Sequence, residues 1–110
     1  MSQPPLQAKP PQAPVRLLVV DDSAFMRYTI SNHLNESPEI QVIGMARDGN
    51  EALALIPQLD PDVITLDVEM PNLDGIATLR RIMAEHPRPV LMLSSLTQEG
   101  AVETIQALTL

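Results

Sequence analysis

Four short apolar runs recur along this chain, and the longer segments between them have a different period. In those segments apolar residues recur at helical spacing, as Met26, Ile30 and Leu34 do in the first. Strands that alternate with helices pair in parallel through right-handed crossovers. The pattern therefore predicts an α/β fold, an open parallel sheet with helices on both faces. The predicted strands are residues 15–20, 40–46, 62–67 and 89–93.

Finer features of the pattern place individual elements. The run 62–67 is continuously apolar, which is typical of a central strand, whereas 40–46 alternates and indicates the edge of the sheet. Residues 70–75 contain a proline and an Asp-Gly pair, which predict a loop. Because aromatic residues make up only 2% of the chain, its core must be aliphatic. The predicted helices are residues 23–36, 50–59, 76–85 and 98–110.

Polar residues end or directly follow three of the predicted strands. They are Asp21, Asp22, Asp67, Ser94 and Ser95. The carboxyl ends of parallel strands meet at one edge, where open α/β sheets bind their ligands. Taken singly, each residue has a simpler explanation, since an aspartate can cap a helix or a turn and a serine can bond to nearby backbone. Three carboxylates at one edge are harder to explain by capping, so the sequence predicts a divalent-cation site there.

The type of ligand narrows the ion and the chemistry. Oxygen ligands without histidine or cysteine favour a hard ion, and a small site that keeps several waters suits Mg²⁺ or Mn²⁺ better than Ca²⁺. Asp67 ends the most buried predicted strand, and a carboxylate beside such an ion can attack a phosphoryl group in line. Ser94 would then donate a hydrogen bond to the transferred phosphoryl group. A metal-dependent phosphatase or nuclease is the rival enzyme class, but Asp67 and Glu69 supply only half of its second carboxylate pair.

Composition excludes several other functions. The net charge of −7 argues against nucleic-acid binding, because phosphate contacts need a basic face. Cysteine is absent, so disulfides and thiolate metal sites are excluded. No apolar run approaches the roughly 20 residues of a membrane span, and a cytoplasmic protein is expected. Residues 1–14 are rich in proline and predict a disordered tail, with a proline-rich recognition ligand as the alternative.

Three segments carry a resemblance to a known family. They read VVDDSAFMR, DVITLDVEMPNLDG and PVLMLSSLTQEGA, and the second contains the spacing D-x-x-x-P-x-x-x-G from Asp67 through Pro71 to Gly75. From residue 15 to 110 the chain resembles the receiver domains of bacterial two-component response regulators, most closely those of chemotaxis protein-glutamate methylesterases. The resemblance implies a flavodoxin-like sheet with strand order 2-1-3-4 over residues 15–110.

The resemblance also implies roles for the candidate residues. The acidic pair Asp21 and Asp22 would bind Mg²⁺ together with Asp67 and the backbone carbonyl of Glu69. Asp67 would be the phosphoacceptor and Ser94 the switch hydroxyl. The implied partners are a histidine kinase of the chemotaxis type and the esterase domain of the parent protein. That esterase domain is not contained in these residues, so no ester hydrolysis is assigned to them.

The sequence departs from the family at its end. A receiver of this family has five strands and five helices, and we expect the fifth strand, its lysine and the last helix to be absent here. The only lysine is Lys9, in the predicted tail. We therefore expect Mg²⁺ binding with slow phosphorylation, and marginal stability or self-association through the strand at 89–93. A degenerate receiver that binds partners without being phosphorylated is the alternative.

Overall fold

The apolar runs form the parallel sheet that their spacing predicts. The structure, a computed structural model, describes residues 13–70 and 72–94. In chain order its elements are β1 (Val15–Val20), α1 (Ala24–Asn35), β2 (Ile40–Ala46), α2 (Gly49–Leu59), β3 (Val63–Asp67), α3 (Gly75–Glu85) and β4 (Val90–Leu93). The strand order is β2-β1-β3-β4, and every described pair is parallel. The predicted flavodoxin-like order 2-1-3-4 is confirmed, and β2 lies at an edge as its alternation indicates.

Helix boundaries differ from the predicted ones by one residue, because the N-caps determine where each helix starts. The side chains of Ser23, Asp48 and Asp74 each accept a hydrogen bond from a backbone N–H in the first turn of the helix that follows. Gly49 and Gly75 are therefore the first residues of α2 and α3. The loop predicted over 70–75 ends one residue early for this reason.

The described strands are also shorter than predicted at two amino ends. β3 begins at Val63, and the carboxylate of Asp62 accepts a 2.8 Å hydrogen bond from the backbone N–H of Arg16. β4 begins at Val90, because Pro89 has no N–H to donate. The predicted tail, Pro71, Ser95 and the predicted helix 98–110 lie wholly or almost wholly outside the described residues.

The sheet separates two aliphatic clusters of buried side chains. Beneath α1 the cluster includes Met26, Ile30 and Leu34, the three residues predicted to face inward. Beneath α2 and α3 the cluster is Leu18, Val20, Ala46, Ala52, Ile56, Ile64, Leu66, Met70 and Ile82. Phe25 and Tyr28, the two aromatic residues of the chain, are 59% and 62% exposed. The aliphatic core predicted from composition is confirmed.

Among the described residues, no helix combines the length and the apolarity that crossing a bilayer requires.

Candidate functional site

The carboxyl edge of the sheet brings three carboxylates together. Val20 of β1 pairs in register with Leu66 of β3, so Asp21 and Asp67 emerge side by side from adjacent strands. One carboxylate oxygen from each of Asp21, Asp22 and Asp67 lies within 4.8 Å of the other two. We call these three residues the acidic cluster. Their convergence follows from parallel pairing, which delivers the ends of both strands to the same edge.

Burial makes this cluster electrostatically costly. Asp21 and Asp67 are 2% and 1% exposed, whereas Asp22 faces solvent. Burial raises the pKa of the Asp21 carboxyl, and the nearby charge of Asp22 raises it further. The backbone N–H of Ser23 and the guanidinium of Arg27 lower the same pKa and only partly offset the effect. The cluster therefore has a net preference for an additional positive charge.

Capping explains only part of this arrangement. Ser23 is the N-cap of α1, so neither Asp21 nor Asp22 caps that helix, and this simpler explanation is wrong for them. Asp21 Oδ1 accepts a 2.9 Å hydrogen bond from the Ser23 N–H, and Asp67 Oδ1 accepts a 3.1 Å hydrogen bond from the Glu69 N–H. Each carboxylate thus uses one oxygen to hold the turn after its own strand. These local bonds do not account for the convergence of the carboxylates.

The donor set fits a small, hard dication. All three side chains of the cluster offer oxygen, the ligand type that Mg²⁺ prefers. The exposed Asp22 lies on the solvent side of the cluster, where an ion would keep several of its waters. The side chain of Glu69 is exposed, and its backbone N–H is turned to Asp67. The backbone carbonyl of Glu69 as a further ligand stays a prediction.

Ser94 lies next to the cluster through the register of the sheet. Leu93, the last residue of β4, pairs with Asp67, and its carbonyl accepts a 2.9 Å hydrogen bond from the Val68 N–H. Ser94 therefore follows β4 at the level where the turn after Asp67 begins, and it is exposed. Its role as a switch hydroxyl stays a prediction.

Two neighbours of the cluster were not predicted from the sequence. Arg27 Nη1 donates a 2.8 Å hydrogen bond to the backbone carbonyl oxygen of Asp21. Helical side chains lean towards the N-terminus, so a long side chain in the first turn of α1 was a usable signal. Gly75 is the second, and it packs directly against the backbone of Asp67 and Val68. Its place in the D-x-x-x-P-x-x-x-G spacing was noted, but no local pattern shows what it touches.

Comparison with known proteins identifies a family model and several relatives that match this chain. Residues 17–109 match the family model described as the response regulator receiver domain. A protein-glutamate methylesterase/protein-glutamine glutaminase of Nitratidesulfovibrio vulgaris is 59% identical over 96 residues, which are 87% of this chain and 26% of that protein. The chain thus spans about a quarter of the length of the curated relatives it matches, 26% and 27% for two of them.

Solved structures agree in fold. The response regulator domain of Thermotoga maritima CheB is 53% identical with a TM-score of 0.72, and the match covers 86% of this chain and 71% of that one. A chain in the complex of CheX and CheY with BeF3 and Mg²⁺ from Borrelia burgdorferi is 32% identical with a TM-score of 0.70, and the match covers 86% of this chain and 72% of that one.

Proposed function

The chain belongs to the response regulator receiver domain family, and we propose that it is a phosphoacceptor module whose Asp67 receives a phosphoryl group from a histidine kinase. The observation that carries this proposal is the acidic cluster, three carboxylates with oxygens within 4.8 Å of one another. Carboxylates so close repel each other unless a cation compensates them. Mg²⁺, or Mn²⁺, is the proposed cation, held by Asp21, Asp22, Asp67 and the backbone carbonyl of Glu69.

The proposed transfer forms one bond and breaks one. A carboxylate oxygen of Asp67 attacks the phosphorus of a phosphohistidine, the new O–P bond forms, and the N–P bond breaks. The electron pair of the N–P bond stays on the imidazole nitrogen, which takes up a proton. The bound ion would neutralise charge on the phosphoryl oxygens.

This chain's own residues orient the reaction. The Glu69 N–H holds Asp67 Oδ1 and so restricts rotation of the carboxylate. The bond between the Val68 N–H and the Leu93 carbonyl holds the end of β4 beside that turn. From there Ser94 would donate a hydrogen bond to a phosphoryl oxygen on Asp67. Formation of that bond would move the end of β4 and transmit the signal.

The relatives support a more specific place in signalling. Identity of 59% to a protein-glutamate methylesterase and 53% to the response regulator domain of a CheB favours this chain as the regulatory part of such an esterase. Its partners would then be a chemotaxis histidine kinase and the esterase domain, in the cytoplasm. In this proposal residues 15–110 form the receiver domain and residues 1–14 a proline-rich tail. The Mg²⁺ in the related complex from Borrelia burgdorferi supports the choice of ion.

Labelling with a small phosphodonor tests the proposal. The chain is incubated with acetyl phosphate, with and without Mg²⁺, and the acyl phosphate is located by mass spectrometry after trapping. We expect one Mg²⁺-dependent label on Asp67 that is lost in Asp67→Asn. Asp62→Asn is the matched control, because Asp62 precedes the amino end of the same strand and its carboxylate accepts a hydrogen bond from Arg16.

Each other outcome assigns a different function. Release of phosphate with repeated turnover and no trapped label would indicate the metal-dependent phosphatase. Tight Mg²⁺ binding or partner binding without any label on Asp67 would indicate the non-phosphorylated interaction module. Equal labelling of wild type and Asp67→Asn would overturn the assignment of the acceptor.

A further inference from the structure

Gly75 makes an unusually close approach to the proposed phosphoacceptor. It is the first residue of α3 and is buried, and its backbone N–H donates a 3.1 Å hydrogen bond to the carbonyl of Val68. A Cβ atom at Gly75 would lie 2.7 Å from Val68 Cα and 2.8 Å from Val68 O, and it would meet the carbonyl oxygen of Asp67 more closely still. All three are backbone atoms, so no side-chain rotation can make room.

Conformational freedom is not the reason for glycine here. No described glycine has a positive φ, so any L-residue fits the backbone angles at Gly75. What excludes a side chain is contact with the Asp67-Val68 peptide. Only a residue without Cβ lets α3 begin directly against that peptide.

The peptide so held also positions the atoms that the proposed chemistry uses. The Val68 N–H is bonded to the carbonyl of Leu93 on one side, and the Val68 carbonyl is bonded to Gly75 on the other. The next N–H, that of Glu69, holds Asp67 Oδ1. A shift of the peptide would therefore move the Asp67 carboxylate and the Glu69 carbonyl together.

From this geometry we propose that Gly75 is a positioning residue, which sets the Asp67 carboxylate and the Glu69 carbonyl by packing its bare Cα against the Asp67-Val68 peptide. The proposal rests on the proposed function, since it concerns the same acceptor and ion. Ordinary carbon contacts are about 3.5–4.0 Å, so a methyl group at Gly75 would displace the peptide by about 1 Å. Misplacement of that size at a reacting group lowers rates by roughly a hundredfold.

Gly49 offers a matched control on the other side of α3. It is the first residue of α2, it is buried, and a Cβ there would collide with Thr78 Oγ1 of α3 and lie 3.1 Å from Leu73. Gly49→Ala therefore disturbs the same helix as Gly75→Ala. The nearest atoms to a Cβ at Gly49 belong to Thr78 and Leu73 and not to the Asp67-Val68 peptide, and any general loss of α3 packing is common to both variants.

The test compares the two variants in the full 110-residue chain. Urea unfolding first gives the folded fraction of each, and all later values are expressed per folded molecule. Without metal, we expect Gly75→Ala to shift the amide resonances of Val68 and Glu69, and Gly49→Ala to leave them near their wild-type positions. With MgCl₂, calorimetry should show at least a roughly tenfold loss of affinity in Gly75→Ala and less than a twofold loss in Gly49→Ala.

Acetyl phosphate labelling of Asp67 should fall by about a hundredfold in Gly75→Ala and stay near the wild-type level in Gly49→Ala. Equal Mg²⁺ affinity and equal labelling in the two variants would overturn the positioning role while leaving the proposed function intact. Failure of the wild type to bind Mg²⁺ or to be labelled would instead overturn the proposed function.

A measurement on the wild type covers the case in which Gly75→Ala does not fold. The amide resonance of Gly75 is followed during titration with MgCl₂. It should shift with the same midpoint as that of Glu69, while the Gly49 amide stays unchanged. A Gly75 amide that does not respond to Mg²⁺ would overturn the positioning role.

Discussion

Charged groups are arranged differently at the two edges of the sheet. At the carboxyl edge the acidic cluster places three carboxylates within 4.8 Å of one another, two of them buried. At the amino edge, two arginines lie against the backbone that follows α2. Arg16 donates 2.8 Å hydrogen bonds to the carbonyls of Leu59 and Asp60, and Arg88 donates one of 2.7 Å to the carbonyl of Pro61. We call these two arginines and their carbonyl partners the amino-edge clamp.

The clamp compensates the negative end of a helix. The last carbonyls of α2 lack partners within the helix and carry its negative partial charge. Arg16 donates to the carbonyls of Leu59, the last residue of α2, and of the C-cap Asp60, and Arg88 donates to that of Pro61 just beyond, so both guanidinium groups lie where they favour the dipole. The chain bends sharply here, with Asp60 in the left-handed region at φ 48°. The clamp therefore stabilises the turn that leads from α2 into β3.

At Asp21 in the acidic cluster the compensation is only partial, because burial and the charge of Asp22 raise its pKa more than Ser23 and Arg27 lower it. Arg27, the arginine bonded there among the described residues, donates to the backbone carbonyl of Asp21 and not to a carboxylate oxygen. The amino edge thus places arginines against the partial negative charge of backbone carbonyls, whereas the carboxyl edge brings like charges together where we propose an ion. We therefore attribute the electrostatic cost at the carboxyl edge to the binding of the proposed ion.

Metal addition should produce the largest difference between the edges. A ligand at a hundred times its dissociation constant raises the free energy of unfolding by about 2.7 kcal/mol. We expect MgCl₂ to stabilise the wild type by this amount in urea unfolding, and to leave the double variant Asp21→Asn/Asp22→Asn unchanged. The control is Asp62→Asn at the amino edge, which should respond as the wild type does. Equal stabilisation of all three proteins would show that the ion binds elsewhere.

Removal of a clamp arginine should have the next largest effect and leave metal binding untouched. Arg16→Met keeps the aliphatic stem and loses two charge-assisted hydrogen bonds, so the free energy of unfolding should fall by about 2 kcal/mol. Arg47→Met is the control, because Arg47 and Glu51 form an exposed ion pair that contributes less than about 1 kcal/mol. Urea unfolding measures both. A change in Mg²⁺ affinity in Arg16→Met would contradict the separation of the two edges.

The carboxyl edge was more predictable from the sequence than the amino edge, for a physical reason. Strands of period two and helices of period 3.6 leave local patterns, and parallel pairing then brings the ends of the strands together without further information. The approach of Asp21 to Asp67 follows from these two rules. The clamp depends instead on contacts such as Arg16 with Leu59 and Asp60, which are 43 and 44 residues apart in sequence.

Arg27 and Gly75 show the same limit inside the site. The sequence indicates that Arg27 is helical and that Gly75 follows a loop, but not that one donates to Asp21 and the other packs on Asp67. Such contacts depend on where a crossover helix lands on the sheet, which the side-chain period alone does not specify. The predicted slow phosphorylation and self-association stay predictions.

A single neutralisation in the acidic cluster should stabilise the metal-free protein. Because burial raises the pKa of Asp21, its charged form costs stability at neutral pH. Asp21→Asn keeps an oxygen that accepts from the Ser23 N–H, so at pH 7 and without Mg²⁺ we expect unfolding to require about 1 kcal/mol more.

The pH dependence of that gain identifies its cause. As pH falls through the raised folded-state pKa towards the unfolded value of 3.8, wild-type Asp21 becomes protonated and its penalty disappears. The advantage of Asp21→Asn should therefore be present at neutral pH, shrink as pH falls through the raised pKa, and vanish only below the unfolded value of 3.8. Urea unfolding of both proteins across this range measures the difference. A gain that stays constant with pH would show that charge is not its origin.

The smallest effect is expected between the two edges, at Thr65 in the middle of β3. Thr65 is 2% exposed, and within the described part of the chain its hydroxyl has no hydrogen-bond partner. Thr78 is equally buried, but its hydroxyl donates to the carbonyl of Asp74 at 2.8 Å. A buried hydroxyl without a partner is costly, whereas one that is bonded contributes about 1 kcal/mol.

The same substitution should therefore have opposite signs at the two threonines. Thr65→Val keeps the shape of the side chain and should raise the free energy of unfolding by about 0.5 kcal/mol, while Thr78→Val should lower it by about 1 kcal/mol. Urea unfolding of both variants without Mg²⁺ gives the two signs, free of any contribution from metal binding. Loss of stability in both would mean that Thr65 is bonded after all. The polar cost within β3 would then lie in the buried Asp67 carboxylate at its end and not in Thr65.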